Sequence, residues 1–461
     1  MKIAFFSSEV FPFAKTGGLA DVSGSLPKSL VEEGCEVKIF MPFYKNIKPE
    51  KIYDEFAVTH LADNLEVIFI RNDEYFFRDY LYTTEKGDYS DNLERFSFFC
   101  KKIFDIIKKI NFSPQIFHTN DWQTSLVNIY LKILYKNDKF FKGVKSVLTI
   151  HNLAYQGIFP KEKFSLLEID EKYFSPQYLE FYGKINLLKG GIIFSDMVNT
   201  VSPTYSKQIQ TKEFGCGLEE VLKEKSLRLW GILNGIDTEV WNPQKDKFIY
   251  KKYSKSSLKD KFINKKELQE ELGLSVGDDF FLLGIVTRLA EQKGIDILIK
   301  ALDKILDKYQ LVLLGTGDRR YHDALEKKGE GKEKVFSLNL KFDEVLAHKI
   351  YAGCDAFLLP SRFEPCGLSQ MISYRYGTPP IVHHTGGLKD TVKDYSQGGG
   401  GFVFSEYHHY ALIEAIKKAE SVFRNKDKWF NLLKKIMEYD FSWRKTAKEY
   451  MKMYKECLSL A

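Results

Sequence analysis

Lys2-Ile3-Ala4-Phe5-Phe6-Ser7-Ser8, followed by Lys15-Thr16-Gly17-Gly18-Leu19-Ala20-Asp21-Val22, reads as a buried strand, a turn and the start of a helix. Near the other end the pattern recurs. Pro380-Ile381-Val382-His383 leads into Thr385-Gly386-Gly387-Leu388-Lys389-Asp390-Thr391-Val392. A glycine pair between strand and helix lets the backbone come close to a ligand, where a side chain would block it. The N–H groups and the dipole at such a helix start favour an anion such as phosphate. One such turn alone is better explained as an ordinary helix start with no ligand. Two copies sharing Thr, both Gly, Leu and Asp point instead to two similar α/β domains facing one phosphate-bearing ligand.

Strand-like and helix-like segments alternate on both sides of the chain's middle. A helix is expected from about Asp21 to Glu33, with Gly34 at its C-cap. Strands are expected over 36–41, 116–119, 144–150 and 197–201, and an amphipathic helix from Asp121 to about Tyr135. The alternation lapses over the Lys-rich stretch 242–276. The domain junction is therefore placed at Asn234-Gly235-Ile236-Asp237. It resumes with strands over 280–286, 310–314, 356–359 and 401–404 and a helix over 294–306. From Tyr407 to Leu458, aromatic and aliphatic residues at helical spacing among Lys and Glu imply two or three packed helices. The expected fold is α/β: two Rossmann-like doubly wound domains separated by a deep cleft, at 1–237 and 238–440. A C-terminal helix, 441–461, is expected to return to the first domain.

Composition narrows the function. A chain of 461 residues, 44% apolar and 28% charged, suits a globular enzyme of two or three domains. Its net charge of +6 comes from 68 basic and 62 acidic residues without a block of one sign. This argues against nucleic acid as a partner and allows an anionic small substrate. The six cysteines form no C-x-x-C pair, and there is no H-E-x-x-H. No metal site and no cofactor are expected, and a reduced, cytoplasmic protein is the simplest reading. The Met1–Phe6 run meets Ser7-Ser8-Glu9 too soon for a signal peptide. No run reaches the roughly 18 apolar residues that span a membrane. A P-loop, a strict G-x-G-x-x-G and a G-x-S-x-G elbow are absent.

In open α/β sheets, ligands bind beyond the C-terminal ends of the strands. Lys15 stands there beside the first Thr-Gly-Gly turn, either as a phosphate cation or as a solvated loop lysine. His151-Asn152 ends the strand over 144–150; a buried or capping histidine is the commoner case, but little apolar sequence follows to make His151 a core residue, which tilts the reading toward function. Asp121 holds the equivalent place after 116–120, as a ligand group or an ordinary N-cap. Arg288 and Lys293 flank a helix start in the second half and together suit a diphosphate leaving group, or form a surface pair. Gly315, in Leu314-Gly315-Thr316-Gly317-Asp318, marks another glycine-rich strand exit. Glu364-Pro365-Cys366-Gly367 puts a carboxylate at a helix start, where it could accept hydrogen bonds from sugar hydroxyls. Cys366 beside it reads as a small packing residue before a reactive thiol.

With these segments in order along nearly the whole chain, the sequence resembles the bacterial glycogen synthases and plant starch synthases. The resemblance rests on Lys15–Val22, His151-Asn152-Leu153-Ala154-Tyr155-Gln156-Gly157, Tyr182-Gly183-Lys184-Ile185-Asn186, Val201-Ser202-Pro203-Thr204-Tyr205, Asn234-Gly235-Ile236-Asp237, Arg362-Phe363-Glu364-Pro365-Cys366-Gly367-Leu368 and Thr385–Leu388. It implies the GT-B fold and a retaining glycosyltransferase. Glucose would pass from ADP-glucose to the non-reducing end of an α-1,4-glucan. By the same resemblance Lys15, Arg288 and Lys293 bind the diphosphate, and the turns at Gly17, Gly18, Gly386 and Gly387 supply N–H groups. Glu364 holds the sugar hydroxyls, His151 and Asn234 sit by the transferred glucose, and Asp21 lies near the first phosphate turn. Asp121, Asn152, Gly315, Cys366, Gly367 and Thr385 complete the expected binding set. Front-face attack, with the departing diphosphate helping to deprotonate the acceptor, needs no carboxylate nucleophile, unlike a retaining glycosidase. The sequence departs from the family pattern at Thr287, at Ser369 and at the pair His383-His384, which stands where arginines are usual. Rival readings are a GT-B enzyme of another donor or acceptor, such as a sucrose- or trehalose-forming one, and a glucan-binding protein without activity. Oligomeric state is not legible in the sequence.

Overall fold

Ile3, Ala4, Phe5 and Phe6 are all fully buried, as a central parallel strand covered on both faces requires. In the computed structural model, which describes residues 1–84 and 87–460, this strand, Lys2–Phe6, lies in the middle of a nine-stranded sheet. It pairs in parallel with Glu36–Pro42 on one side and Ile116–Asn120 on the other. Lys145–Ile150, Met197–Thr200 and Leu229–Gly231 continue the sheet in parallel beyond Ile116–Asn120. Beyond Glu36–Pro42 come Leu65–Ile70, Phe56–Ala62 and Lys51–Ile52. Phe56–Ala62 is antiparallel to Leu65–Ile70, and the turn between them has Asn64 in the left-handed region, φ 63°. The sequence reading did not anticipate this hairpin.

Contacts divide the chain into two units, Met1–Gly235 joined by the stretch from Trp443, and Ile236–Ser442. In the first unit the helix Trp443–Ser459 buries Trp443, Tyr450, Met453, Tyr454 and Cys457 in the same core as the central strands. Hydrogen bonds fix it there. His118, inside the sheet, contacts the Tyr454 hydroxyl through Nδ1 at 2.6 Å and the Thr149 hydroxyl through Nε2 at 2.7 Å. Asn199 donates to the Tyr450 hydroxyl at 3.0 Å.

The second unit is built on a six-stranded, wholly parallel sheet. Its order is Phe336–Asn339, Gln310–Leu314, Leu282–Val286, Ala356–Leu359, Pro380–His383 and Phe402–Phe404. The stretch 242–276, expected to be loose, contains the helix Lys259–Glu271. Its buried face carries lysines, so no apolar period announces it. Lys265 pairs with Asp355 at 2.8 Å, and Lys261 donates to the Ala352 carbonyl at 2.7 Å and the Thr378 hydroxyl at 2.8 Å. Ahead of it, Asp246 accepts from the Tyr376 hydroxyl at 2.5 Å and contacts His348 Nδ1 at 2.7 Å, and Trp241 stacks on His348. Among the described residues no helix is long and apolar enough to cross a membrane.

Candidate active site

The strand Lys2–Phe6 ends in Ser7-Ser8-Glu9, and Glu9 is the first functional-looking group the sequence reading missed. Its Oε2 accepts the N–H of Thr16 at 2.5 Å and of Gly17 at 3.2 Å. Its Oε1 accepts the Thr16 hydroxyl at 2.6 Å and the Tyr82 hydroxyl at 2.8 Å. The carboxylate is buried. This corrects the expectation for Gly17: its N–H is turned to a carboxylate of the chain itself rather than outward. A glutamate directly after a buried strand, close to a Thr-Gly-Gly turn, is the signal that would have found it.

Gly17 nevertheless has no packing reason to be glycine. Its backbone is extended, φ −159°, and an added Cβ would meet nothing within 4 Å. Gly18 opens the helix Gly18–Glu32. Lys15 Nζ lies 2.7 Å from Asp21 Oδ1, each side chain about a third exposed. The expected cation and the expected acid of this turn are therefore partners.

Strands Ile116–Asn120 and Lys145–Ile150 run side by side, so Asn120, Asp121 and His151 emerge together. Asn120 Nδ2 donates to the Phe6 carbonyl at 2.9 Å, which turns its Oδ1 toward His151 Nε2 at 2.9 Å. That contact places the imidazole proton on Nε2 and leaves Nδ1 as an acceptor. Desolvation pushes the His151 pKa down to about 3, so the ring is neutral at pH 7. Asp121 sits at φ 56° and accepts the His151 N–H at 2.7 Å. Burial pushes its carboxyl up to about 7, against the lowering effect of the His151 and Asn152 amides. It is thus not the cap of its helix, a position held by Asn120. The Asn152 side chain, by contrast, accepts from the Ala154 N–H at 3.1 Å and caps its own loop. Asn234 is buried, with no hydrogen-bond partner at Oδ1.

In the second unit Lys293 and Glu364 form an ion pair at 2.6 Å, with side-chain exposures of 19% and 7%. The loops that carry them are tied together. The Arg362 N–H donates to the Gln292 carbonyl at 2.9 Å, and Gly294, in the left-handed region at φ 72°, turns the chain into the helix Ile295–Leu306. A Cβ on Gly294 would lie 1.9 Å from the Pro360 carbonyl oxygen, so only glycine lets this turn approach the exit of Ala356–Leu359. Ser361 donates to Glu364 Oε2 at 3.1 Å, and His383 Nδ1 lies 2.7 Å from the Ser361 carbonyl. The histidine in the unusual pair is thereby a support for the loop that bears Glu364. Arg288 is exposed at the exit of Leu282–Val286.

The glycines expected to bind ligand in this unit have structural reasons of their own. Gly387 donates its N–H to the Glu364 carbonyl at 2.9 Å, and its added Cβ would stand 2.2 Å from the Cys366 carbonyl oxygen. Gly315 donates to the Asn339 carbonyl and packs against Thr287, where a Cβ would meet the carbonyl oxygen at 1.8 Å. Gly367 and Gly386 both have positive φ, 76° and 46°. In both Thr-Gly-Gly turns a glycine amide is thus held within the chain, Gly17 by Glu9 and Gly387 by the Glu364 carbonyl, but of these two only Gly387 also lacks room for a Cβ. Cys366 is a buried packing residue, and the buried Thr385 hydroxyl has no hydrogen-bond partner.

Residues 2–224 match the starch synthase catalytic domain, and 264–429 the glycosyl transferases group 1. The chain is 44% identical over 482 residues to a glycogen synthase of Thermotoga maritima, covering 100% of this chain and 99% of that one. It is 46% identical to a glycogen synthase of Fervidobacterium nodosum, with the same coverage. Among solved structures, the catalytic domain of starch synthase IV from Arabidopsis thaliana, bound to ADP and acarbose, superposes with a TM-score of 0.90 at 33% identity, covering 100% and 99% of the two chains. A sucrose-phosphate synthase from Thermosynechococcus elongatus, at 18% identity and a TM-score of 0.64 over 100% of both chains, shares the fold. The two parallel-sheet units are those of a GT-B glycosyltransferase. Similar at this level from end to end, the chain belongs to the glycogen and starch synthase family of glycosyltransferases.

Proposed function

We propose that the protein is a cytoplasmic glycogen synthase that transfers glucose from ADP-glucose to the non-reducing 4-hydroxyl of an α-1,4-glucan, with retention at the anomeric carbon. The Lys293–Glu364 pair at 2.6 Å, its carboxylate buried and its lysine half-buried, carries the reading. It sets a cation and a hydroxyl acceptor side by side on locked loops, which is what a sugar joined to a diphosphate requires. The ADP named with the starch synthase IV structure supports the choice of nucleotide.

Arg288 and Lys293 take oxygens of the diphosphate and stabilise the charge that grows there as the glycosidic C–O bond breaks. Glu364 accepts hydrogen bonds from hydroxyls of the glucose. In the first unit Lys15 is the cation of its turn, and His151, neutral and with Nδ1 lone pair in place, accepts from a sugar hydroxyl. The acceptor 4-hydroxyl attacks the anomeric carbon on the face the diphosphate leaves. Its proton passes to the departing phosphate oxygen, so the products are the lengthened glucan and ADP. No cofactor or metal takes part, and EDTA should leave the rate unchanged.

Lys293→Ala should lower kcat/KM for ADP-glucose on the order of 10²-fold or more, the loss of a fixed charge at the leaving group. Glu364→Gln should lower kcat while ADP still binds. Steady-state rates and ADP titration check both. Wild-type rates in either variant would remove the pair from the reaction.

A further inference from the structure

We propose that Glu9 is a positioning residue: its carboxylate holds the first Thr-Gly-Gly turn in the shape that presents Lys15 to phosphate. The inference rests on the phosphate role given to Lys15 above. Consecutive backbone N–H groups in a turn make a concavity that draws an anion. At Thr16 and Gly17 that concavity is filled from within the chain, by Glu9 Oε2. A phosphate arriving at this turn is therefore turned away from these two amides, by occupancy and by like charge. It meets instead the Lys15 ammonium and the amides that open the helix Gly18–Glu32.

Glu9 is itself firmly held. Ser7 donates its N–H to the Phe40 carbonyl at 3.0 Å, and its hydroxyl to the Glu9 carbonyl at 2.6 Å. The Ser23 hydroxyl, on the helix behind the turn, donates to Ser7 Oγ at 2.9 Å. Tyr82 bonds both Ser8 Oγ, at 2.7 Å, and Glu9 Oε1, and Tyr44 donates to the Ser8 carbonyl at 2.9 Å. The path runs from the central strand through Glu9 to Thr16 and Gly17, and so to the residue before them, Lys15. Buried carboxylates are costly without partners, and each oxygen here has two donors, all uncharged. What Glu9 supplies is acceptor geometry rather than charge pairing.

That distinction sets the test. In Glu9→Gln the amide oxygen can still accept both N–H groups, while the Thr16 and Tyr82 hydroxyls rotate to accept from the NH2. Glu9→Ala leaves the turn without a support. With glycogen saturating and ADP-glucose varied, Glu9→Ala should lower kcat/KM for ADP-glucose on the order of 10²-fold, leaving KM for glycogen within about twofold. Glu9→Gln should recover all but about fivefold of that loss. In a Lys15→Ala background, Glu9→Ala should add less than about threefold, because both act through the same group. Near-normal kcat/KM in Glu9→Ala, a Gln variant as impaired as the Ala variant, or full additivity with Lys15→Ala would each overturn the proposal. Lys15→Ala at the wild-type rate would instead overturn the phosphate role of Lys15, whatever the Glu9 variants do. Should Glu9→Ala not fold, Glu9→Asp, which keeps the charge but withdraws the oxygens by a methylene, carries the same expectation and the same refutation.

Discussion

Gly17 and Gly294 look alike in sequence, each at the head of a helix, yet they are glycines for different reasons. Gly294 is required inside the chain, since its positive φ and the Pro360 carbonyl 1.9 Å from an added Cβ leave no room for alanine. Gly294→Ala should lower stability by at least about 2 kcal/mol, read as a fall in the denaturant midpoint. Gly17 has an ordinary extended φ and open space where a Cβ would go. Gly17→Ala should keep the wild-type midpoint but lower activity on the order of 10²-fold, because only a ligand needs that space. A Gly17→Ala variant as active as the parent would mean that no ligand approaches there. The double-glycine pattern was legible from the sequence, but what its amides face was not. Glu9 bonds Thr16 and Gly17 across an irregular loop, and Gly387 bonds the distant Glu364 carbonyl. Neither partnership leaves a periodic trace. Likewise, Lys293 and Glu364 could be singled out by their places after strands, but their direct pairing depends on Gly294 and Arg362 folding two loops together.

Among elements, the central strands and their following helices were readable because a parallel strand covered on both faces is a continuous apolar run. Ala356–Leu359 and Pro380–His383 are examples, buried throughout. Lys259–Glu271 was not readable, because burial there falls on Lys261 and Lys265, whose ammonium groups are satisfied by carbonyls and by Asp355. The hairpin of Phe56–Ala62 and Leu65–Ile70 was missed because it breaks the β-α alternation. The strand Ile116–Asn120 shows how one element carries a pH response. His118, held between Tyr454 and Thr149, has its pKa pushed down to about 3, first by burial and then by the neighbouring His151. Its unfolded value is near 6.5, so between these limits the unfolded chain binds the extra proton and stability falls as pH drops. At pH 5 that gap corresponds to on the order of 2 kcal/mol for this residue. His118→Gln should flatten the fall of the thermal midpoint between pH 6.5 and 4.5. An unchanged pH slope would exclude His118 as its source.

At the scale of the whole molecule, the first unit is discontinuous: the chain leaves it at Gly235 and re-enters at Trp443. Five large or sulphur-bearing side chains of the returning helix, Trp443, Tyr450, Met453, Tyr454 and Cys457, belong to its core. Ending the chain after Asp440 should therefore cost more than activity. It should expose that core and abolish cooperative unfolding of the first unit, measurable by calorimetry. A truncated chain with the parent's transition would show the helix to be dispensable. Transfer of glucose to glucan is read directly from label. Incubation of the purified protein with ADP-[14C]glucose and glycogen, without added metal, should move label into precipitable glucan, released as maltose by β-amylase, which cleaves only α-1,4 links from the non-reducing end. Label that stays in ADP-glucose, or appears as free glucose while none enters glucan, would contradict it.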